Sequence, residues 1–166
     1  MNFKLQTDYA LRTLLFLADL PPGTQASVQQ VADVYRISRD HLFKVVQNLV
    51  RLGHVASRPG RSGGIRLARQ ADAINCGDVV AAFEGRNGLL PCVHDPNYCV
   101  LEPGCTLRLV LIRAEAAMYA ELEKLTVADL VGPEAARPAA NALHQLLIRG
   151  RAITPPAMSL GGGEQS

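Results

Sequence analysis

Three cysteines crowded into one short stretch are the residues of this chain best suited to chemistry. Cys92, Cys99 and Cys105 stand in Pro91-Cys-Val-His-Asp-Pro-Asn-Tyr-Cys-Val-Leu-Glu-Pro-Gly-Cys105. Thiolates gathered at this density bind metal, and soft sulfur selects zinc or an iron–sulfur cluster. A tetrahedral zinc ion or a cubane takes four ligands, so three cysteines leave one corner for a different donor. Two plainer readings carry less. A disulfide framework belongs to exported chains. The opening Met-Asn-Phe-Lys is no secretory signal, so a cytoplasmic protein is expected. Thiols that merely pack as small hydrophobes sit in periodic apolar segments. These three lie among Pro91, Asp95, Pro96, Asn97, Pro103 and Gly104, which is loop composition. Cys76, in Ala-Ile-Asn-Cys-Gly-Asp, stands apart and reads as a packed thiol.

A second constellation is electrostatic. From Arg36 to Arg69 eight basic residues meet one acid, Asp40, for a net +7, while the rest of the chain carries −5. A basic half joined to an acidic half fits contact with a polyanion, against the plainer reading of a solvated basic face. No apolar run is long enough to span a bilayer.

The elements that position these groups follow from spacing. Leu5, Tyr9, Leu11, Leu15, Phe16 and Leu20 predict a helix from Lys4 to Leu20, stopped by Pro21-Pro22-Gly23. Ser27-Val-Gln-Gln30 is a capping box opening a short helix. Ser38 is placed to cap a second one, Arg39 to Leu52, with Leu42, Val45, Val46 and Leu49 inward and Gly53 as its stop. Two short alternating segments around Pro59-Gly-Arg-Ser-Gly-Gly64 predict a hairpin. Helix, turn, helix, hairpin is the order of a winged helix-turn-helix, although the glycine common in its tight turn is absent.

The fold class expected is therefore mainly α, with a small β-hairpin wing. Residues 1–75 form the DNA-binding domain, 76–150 the cysteine loop and dimerisation helices, and 151–166 a disordered tail. A short helix is expected from Gly77 to Glu84, and a last one over Pro138 to Ile148. Thr106 to Leu125 is the longest predicted helix, and its broad apolar stripe makes it the candidate dimer seam.

On this architecture the start of the second helix meets base edges in a major groove. That start is Ser38-Arg39-Asp40-His41, with Lys44 one turn on. Arg39 has the two donors that a guanine edge accepts, His41 and Lys44 reach bases or phosphates, and Ser38 combines a cap with a phosphate contact. In the hairpin Arg58 and Arg61 flank a turn thin enough for a minor groove. Ser62, Gly63 and Gly64 would let backbone amides approach phosphate unobstructed.

Several segments are similar to one known family. Leu5-Gln-Thr-Asp-Tyr-Ala-Leu-Arg12, Val34-Tyr-Arg-Ile-Ser-Arg-Asp-His-Leu-Phe-Lys-Val-Val46, Gly60-Arg-Ser-Gly-Gly-Ile-Arg-Leu67, the cysteine loop and Thr126-Val-Ala-Asp-Leu-Val131 resemble, in order, the Rrf-type winged-helix iron–sulfur regulators. Within that family the resemblance is strongest to the nitric-oxide-sensing repressors. It implies a homodimer with one 4Fe–4S cluster per subunit, held by Cys92, Cys99 and Cys105. It also implies a fourth, carboxylate ligand from the partner's first helix, where Asp8 stands, and nitric oxide as the signal releasing an operator. A 2Fe–2S cluster is the lesser alternative, because six residues separate Cys92 from Cys99, slightly more than is usual in the family. The cluster-assembly regulators among these relatives carry a histidine three residues after the last cysteine, where this chain has Arg108.

Competing readings are an iron- or redox-sensing regulator of the same family, a winged-helix regulator with structural zinc, and a cluster-bearing redox or electron-transfer protein. For an enzyme the chain offers no phosphate-binding glycine loop, nucleophile elbow or second ligand group.

Overall fold

A computed structural model describes residues 3–60, 63–85, 89–95, 98–101 and 104–131. The first helix, α1, runs from Leu5 to Ala18, slightly inside the expected span. Its fully buried face is Ala10, Leu14, Phe16 and Leu17 with Thr7 and Thr13, whereas Leu5 is 69% exposed. Of the apolar positions that predict the helix only Phe16 lies on this face, because the pattern passes over the threonines. Each threonine is buried at low cost because its hydroxyl is partnered: Thr13 donates to the Tyr9 carbonyl at 2.7 Å, and Thr7 donates to the Glu84 carboxylate.

Helix α2 spans Val28–Tyr35 and α3 spans Arg39–Arg51. The capping box forms as expected: the Ser27 amide donates to Gln30 Oε1 at 2.7 Å, and the Gln30 amide donates to Ser27 Oγ at 3.1 Å. Ser27→Ala removes one half of it and should lower stability by about 1 kcal/mol, read as an earlier urea midpoint at unchanged slope. Arg36 closes α2 at φ 54°, ψ 43° and takes the left-handed position that a glycine usually fills. Its amide returns to the Ala32 and Asp33 carbonyls, and buried Ile37 follows. Ser38 occupies the cap position of α3, but its side chain makes no capping hydrogen bond, contrary to the sequence expectation. Leu42, Val45, Val46 and Leu49 are buried as the spacing predicts. Gly53 at φ 74° then turns the chain into the wing.

The wing pairs β1, Val55–Arg58, antiparallel with β2, Gly64–Leu67, in the register Val55↔Leu67 to Arg58↔Gly64. Ile65 is buried beneath it and exchanges both backbone bonds with Ala26, which moors the wing to the chain entering α2. Arg61 and Ser62 lie outside the described residues, as do the helix expected over Pro138 to Ile148 and the tail from Ala152.

A short 3-10 turn, Ala71–Ala73, leads to α4, Cys76–Glu84, capped by the Asn75 side chain. The cysteine stretch contains one helical turn that the sequence reading took as loop: α5, Pro91–His94, with proline at its first position. Helix α6, Thr106–Leu122, ends a turn earlier than expected. The chain is then drawn back onto α4, where the Cys76 amide donates to the Leu125 carbonyl at 2.9 Å and Asn75 Nδ2 donates to the Glu123 carbonyl at 2.6 Å. Helix α7, Val127–Val131, packs on α1. One core runs through α1, α2, α3, the wing, α4 and Val127 of α7. Among the described residues no helix is long and apolar enough to cross a membrane.

Candidate DNA interface and cluster site

Burial of one face of α3 fixes what the other presents. With Leu42, Val45, Val46 and Leu49 inward, Arg39, Asp40, His41, Phe43, Lys44 and Gln47 are exposed. Arg39, Phe43 and Gln47 recur every four residues and share a face, with Asp40 and Lys44 beside them. Phe43, 47% exposed between Arg39 and Lys44, escaped the sequence reading. The signal was its position, out of phase with the inward residues, and an exposed ring there suits a thymine methyl.

In the wing, the register puts Arg58 and Arg66 on the same face, where both are exposed. They line an open groove of about 400 Å³ together with Gly23, Gln25 and Ser57. Two of the turn's three glycines, Gly63 and Gly64, have reasons internal to the fold. A side chain at Gly63 would collide with the Arg58 carbonyl, and one at Gly64 would meet the Ala26 carbonyl at 2.7 Å. The Gly63 amide is already donated to the Gly60 carbonyl at 2.9 Å.

The four cysteines fall into two kinds. Cys76 is 2% exposed at the start of α4, and burial, helped by Asp129, pushes its thiol up. That thiol is a core group, as its sequence context predicted. Cys92, Cys99 and Cys105 are half-buried, free thiols. Cys92 lies on α5, Cys99 between α5 and α6, and Cys105 at the cap of α6. Cys92 and Cys105 belong to a fastened part of the loop. Arg108, in the first turn of α6, donates from Nε to the Cys92 carbonyl at 2.6 Å and from Nη2 to the Val93 carbonyl at 3.4 Å. Val93 is buried, and His94 Nε2 lies 3.1 Å from Glu115 Oε2 one side of α6 further on. Among the described residues no three histidine, cysteine or acidic side chains are gathered closely enough to hold a metal ion. The donor set nevertheless fits a thiophilic centre in its chemistry: three unpaired thiols outside the core, on one loop.

Asp8 is in the first turn of α1 and forms a two-pronged pair with Arg12, whose Nε lies 2.8 and 2.9 Å from its carboxylate oxygens. Both side chains are almost half exposed, so the pair contributes about 0–1 kcal/mol and is readily given up. The Arg12 guanidinium also sits over the Tyr35 ring, 5.6 Å from its centroid, at the turn before α3. The start of α1 is tied to the root of the cysteine loop: Glu84 accepts from the Lys4 amide at 2.8 Å and from the Thr7 hydroxyl, and Lys4 Nζ donates to the Phe83 and Glu84 carbonyls.

Residues 3–133 match the Rrf2 family of iron-dependent transcriptional regulators. The chain belongs to the Rrf2 family. It is 47% identical over 132 residues to the HTH-type transcriptional regulator NsrR of Shouchella clausii, covering 79% of this chain and 89% of that one. To NsrR of Oceanobacillus iheyensis it is 42% identical over 135 residues, covering 81% and 92%. Solved structures agree on the fold. CymR, the global cysteine regulator of B. subtilis, superposes with a TM-score of 0.65 at 24% identity, covering 79% of this chain and 96% of that one. IscR of T. potens gives 0.64 at 22%, covering 82% and 91%. This Rrf2 protein is a winged-helix transcriptional regulator most like NsrR.

In this Rrf2 chain α6 carries two stripes where the sequence reading saw one. Arg108, Leu111, Ile112, Glu115, Met118, Tyr119 and Leu122 are partly or fully buried on their own subunit. Leu107, Val110, Ala114 and Ala117, spaced three and four apart, are all exposed. Leu107 is 60% and Val110 46% exposed, so the outward stripe is apolar and uncovered in the single chain.

Proposed function

We propose that this Rrf2 regulator is a homodimeric repressor whose operator binding is set by an iron–sulfur cluster, with nitric oxide as the signal. The observation that carries the reading is the separation of three free, half-buried thiols on one loop from the buried Cys76. Cys92, Cys99 and Cys105 would hold the cluster, with Asp8 of the partner subunit as the fourth ligand. A 4Fe–4S cluster bound this way supplies an iron whose oxygen ligand is hard and poorly matched, hence open to nitric oxide. Functionally we divide the chain as DNA-binding up to residue 75 and as cluster loop and dimer helix from 76 to 150, even though α4 and α7 share the core of the winged helix.

The chain's own residues provide the route from loop to DNA. Asp8 exchanges Arg12 for the partner's site. Arg12, over Tyr35, then bears differently on the turn that sets α3. α1 packs directly on α3, so a shift of its first turn moves the reading helix. A coupling of about 1–3 kcal/mol is enough to change operator occupancy. Asp8→Ala should still assemble a cluster, because three thiolates remain. Its operator affinity should change less on exposure to nitric oxide, as gel shifts of both proteins would read. An unaltered response would remove Asp8 from the switch.

Arg39, His41 and Lys44 are assigned to the major groove, with Ser38 and the wing residues Arg58, Arg61, Ser62 and Gly64 on the backbone, while the Gly63 amide is taken by the Gly60 carbonyl. Arg39→Ala should cost roughly 1–3 kcal/mol on the cognate site and relax its sequence preference. Arg61→Ala should instead lower the salt slope by about 1. An unchanged preference in the Arg39 variant would end its role as a base reader. The cluster itself is tested by colour: protein purified without oxygen should be brown and bleach with nitric oxide, whereas a colourless protein containing zinc would overturn the reading.

A further inference from the structure

Resting on the cluster reading, we propose that Arg108 is a positioning residue that presets Cys92 against Cys105, leaving Cys99 to close the site. The guanidinium spends two donors on successive backbone carbonyls, Cys92 at 2.6 Å and Val93 at 3.4 Å, at the end of the single-turn helix α5. Carbonyls in such a turn have no helical successor, and a planar fork can satisfy two of them at once. Arg108 is three residues beyond Cys105, on the helix which Cys105 caps. The same side chain therefore fixes the backbone of one thiol relative to the element carrying another.

One further contact supports the clamp: His94 meets Glu115, whose side chain is 12% exposed, at 3.1 Å. Residues 92–94 are thus bonded to α6 at Arg108 and at Glu115, two turns apart. Between Asp95 and Gly104 the described backbone bonds are short-range ones, from the Tyr98 amide to Asp95 and from the Gly104 amide to Leu101. Setting two thiols before the metal arrives removes part of the ordering cost of closing the site.

The test uses the full chain in two states, with Arg108→Gln. In the metal-free, reduced protein, the rate at which iodoacetamide alkylates each cysteine is read by mass spectrometry. Loss of a clamp exposes Cys92, so its rate should rise while that of Cys99 stays the same. In the cluster-loaded protein, iron release to a chelator should be about 10- to 100-fold faster than in the wild type. Arg108→Lys keeps the charge but not the fork, and should shift Cys92 in the same direction by less; it carries the comparison should the glutamine variant unfold. A fall or no change at Cys92, or an equal rise at all three thiols, would overturn the clamp. Should the wild type take up no cluster, the functional reading fails while the alkylation arm still decides on Arg108.

Discussion

Cys99→Ala should abolish cluster binding, with iron and acid-labile sulfide falling to background after anaerobic reconstitution. Removing one of three thiolates leaves two cysteines and a poorly matched carboxylate, too few thiolates to hold a cubane. Cys99 lies on the loop outside the core, so the variant should fold as the wild type does. Cys76→Ala is the counterpart. It should cost about 1 kcal/mol through lost packing and leave the iron content intact, because that thiol is 2% exposed and kept protonated by burial. A Cys99 variant that keeps its iron, or a Cys76 variant that loses it, would mean that the ligand set is wrong.

The second large effect is on assembly. Val110→Glu should convert the dimer into monomers and reduce operator affinity by at least about 100-fold, since each half-site then binds without the avidity of its pair. In an isolated subunit the substitution is nearly neutral, because Val110 is 46% exposed and solvent would hydrate the new carboxylate. Only burial against a second copy makes it costly, at about 3–5 kcal/mol for an unpaired charge. Sedimentation equilibrium separates the cases: an unaltered dimer would move the seam away from Leu107, Val110, Ala114 and Ala117.

What was legible in the sequence was whatever short-range chemistry dictates. The Ser27–Gln30 box, the inward residues of α3 and the hairpin all appear where spacing and capping chemistry put them. What was illegible depended on partners distant in sequence. The buried face of α1 contains Thr7 and Thr13, admissible only because Glu84 and the Tyr9 carbonyl receive their hydroxyls. The α6 stripe divides in two only when α4 and α5 are laid on one side of it, and α5 itself is a single turn, below what apolar periodicity reveals. The missing turn glycine was a real departure, and Arg36 bears it by adopting φ 54°. At the site, the cysteines announced themselves by spacing. Arg108 was visible only as a non-histidine, and its bond to the Cys92 carbonyl depends on a fold that no motif encodes. Asp8 was assigned by resemblance, and in the single chain it pairs with Arg12, the plainer partner its position offers.

The central claim is that the state of the cluster sets the occupancy of DNA. The most direct test is the operator affinity of one preparation, without oxygen, in three states: cluster-loaded, exposed to nitric oxide, and cluster-free. The account predicts tight, salt-dependent binding in the first and a loss of about 5- to 150-fold in the other two, as a coupling of about 1–3 kcal/mol requires. Equal affinity in all three states would contradict it, leaving an Rrf2 DNA-binding protein whose cysteine loop does not govern its hold on the operator.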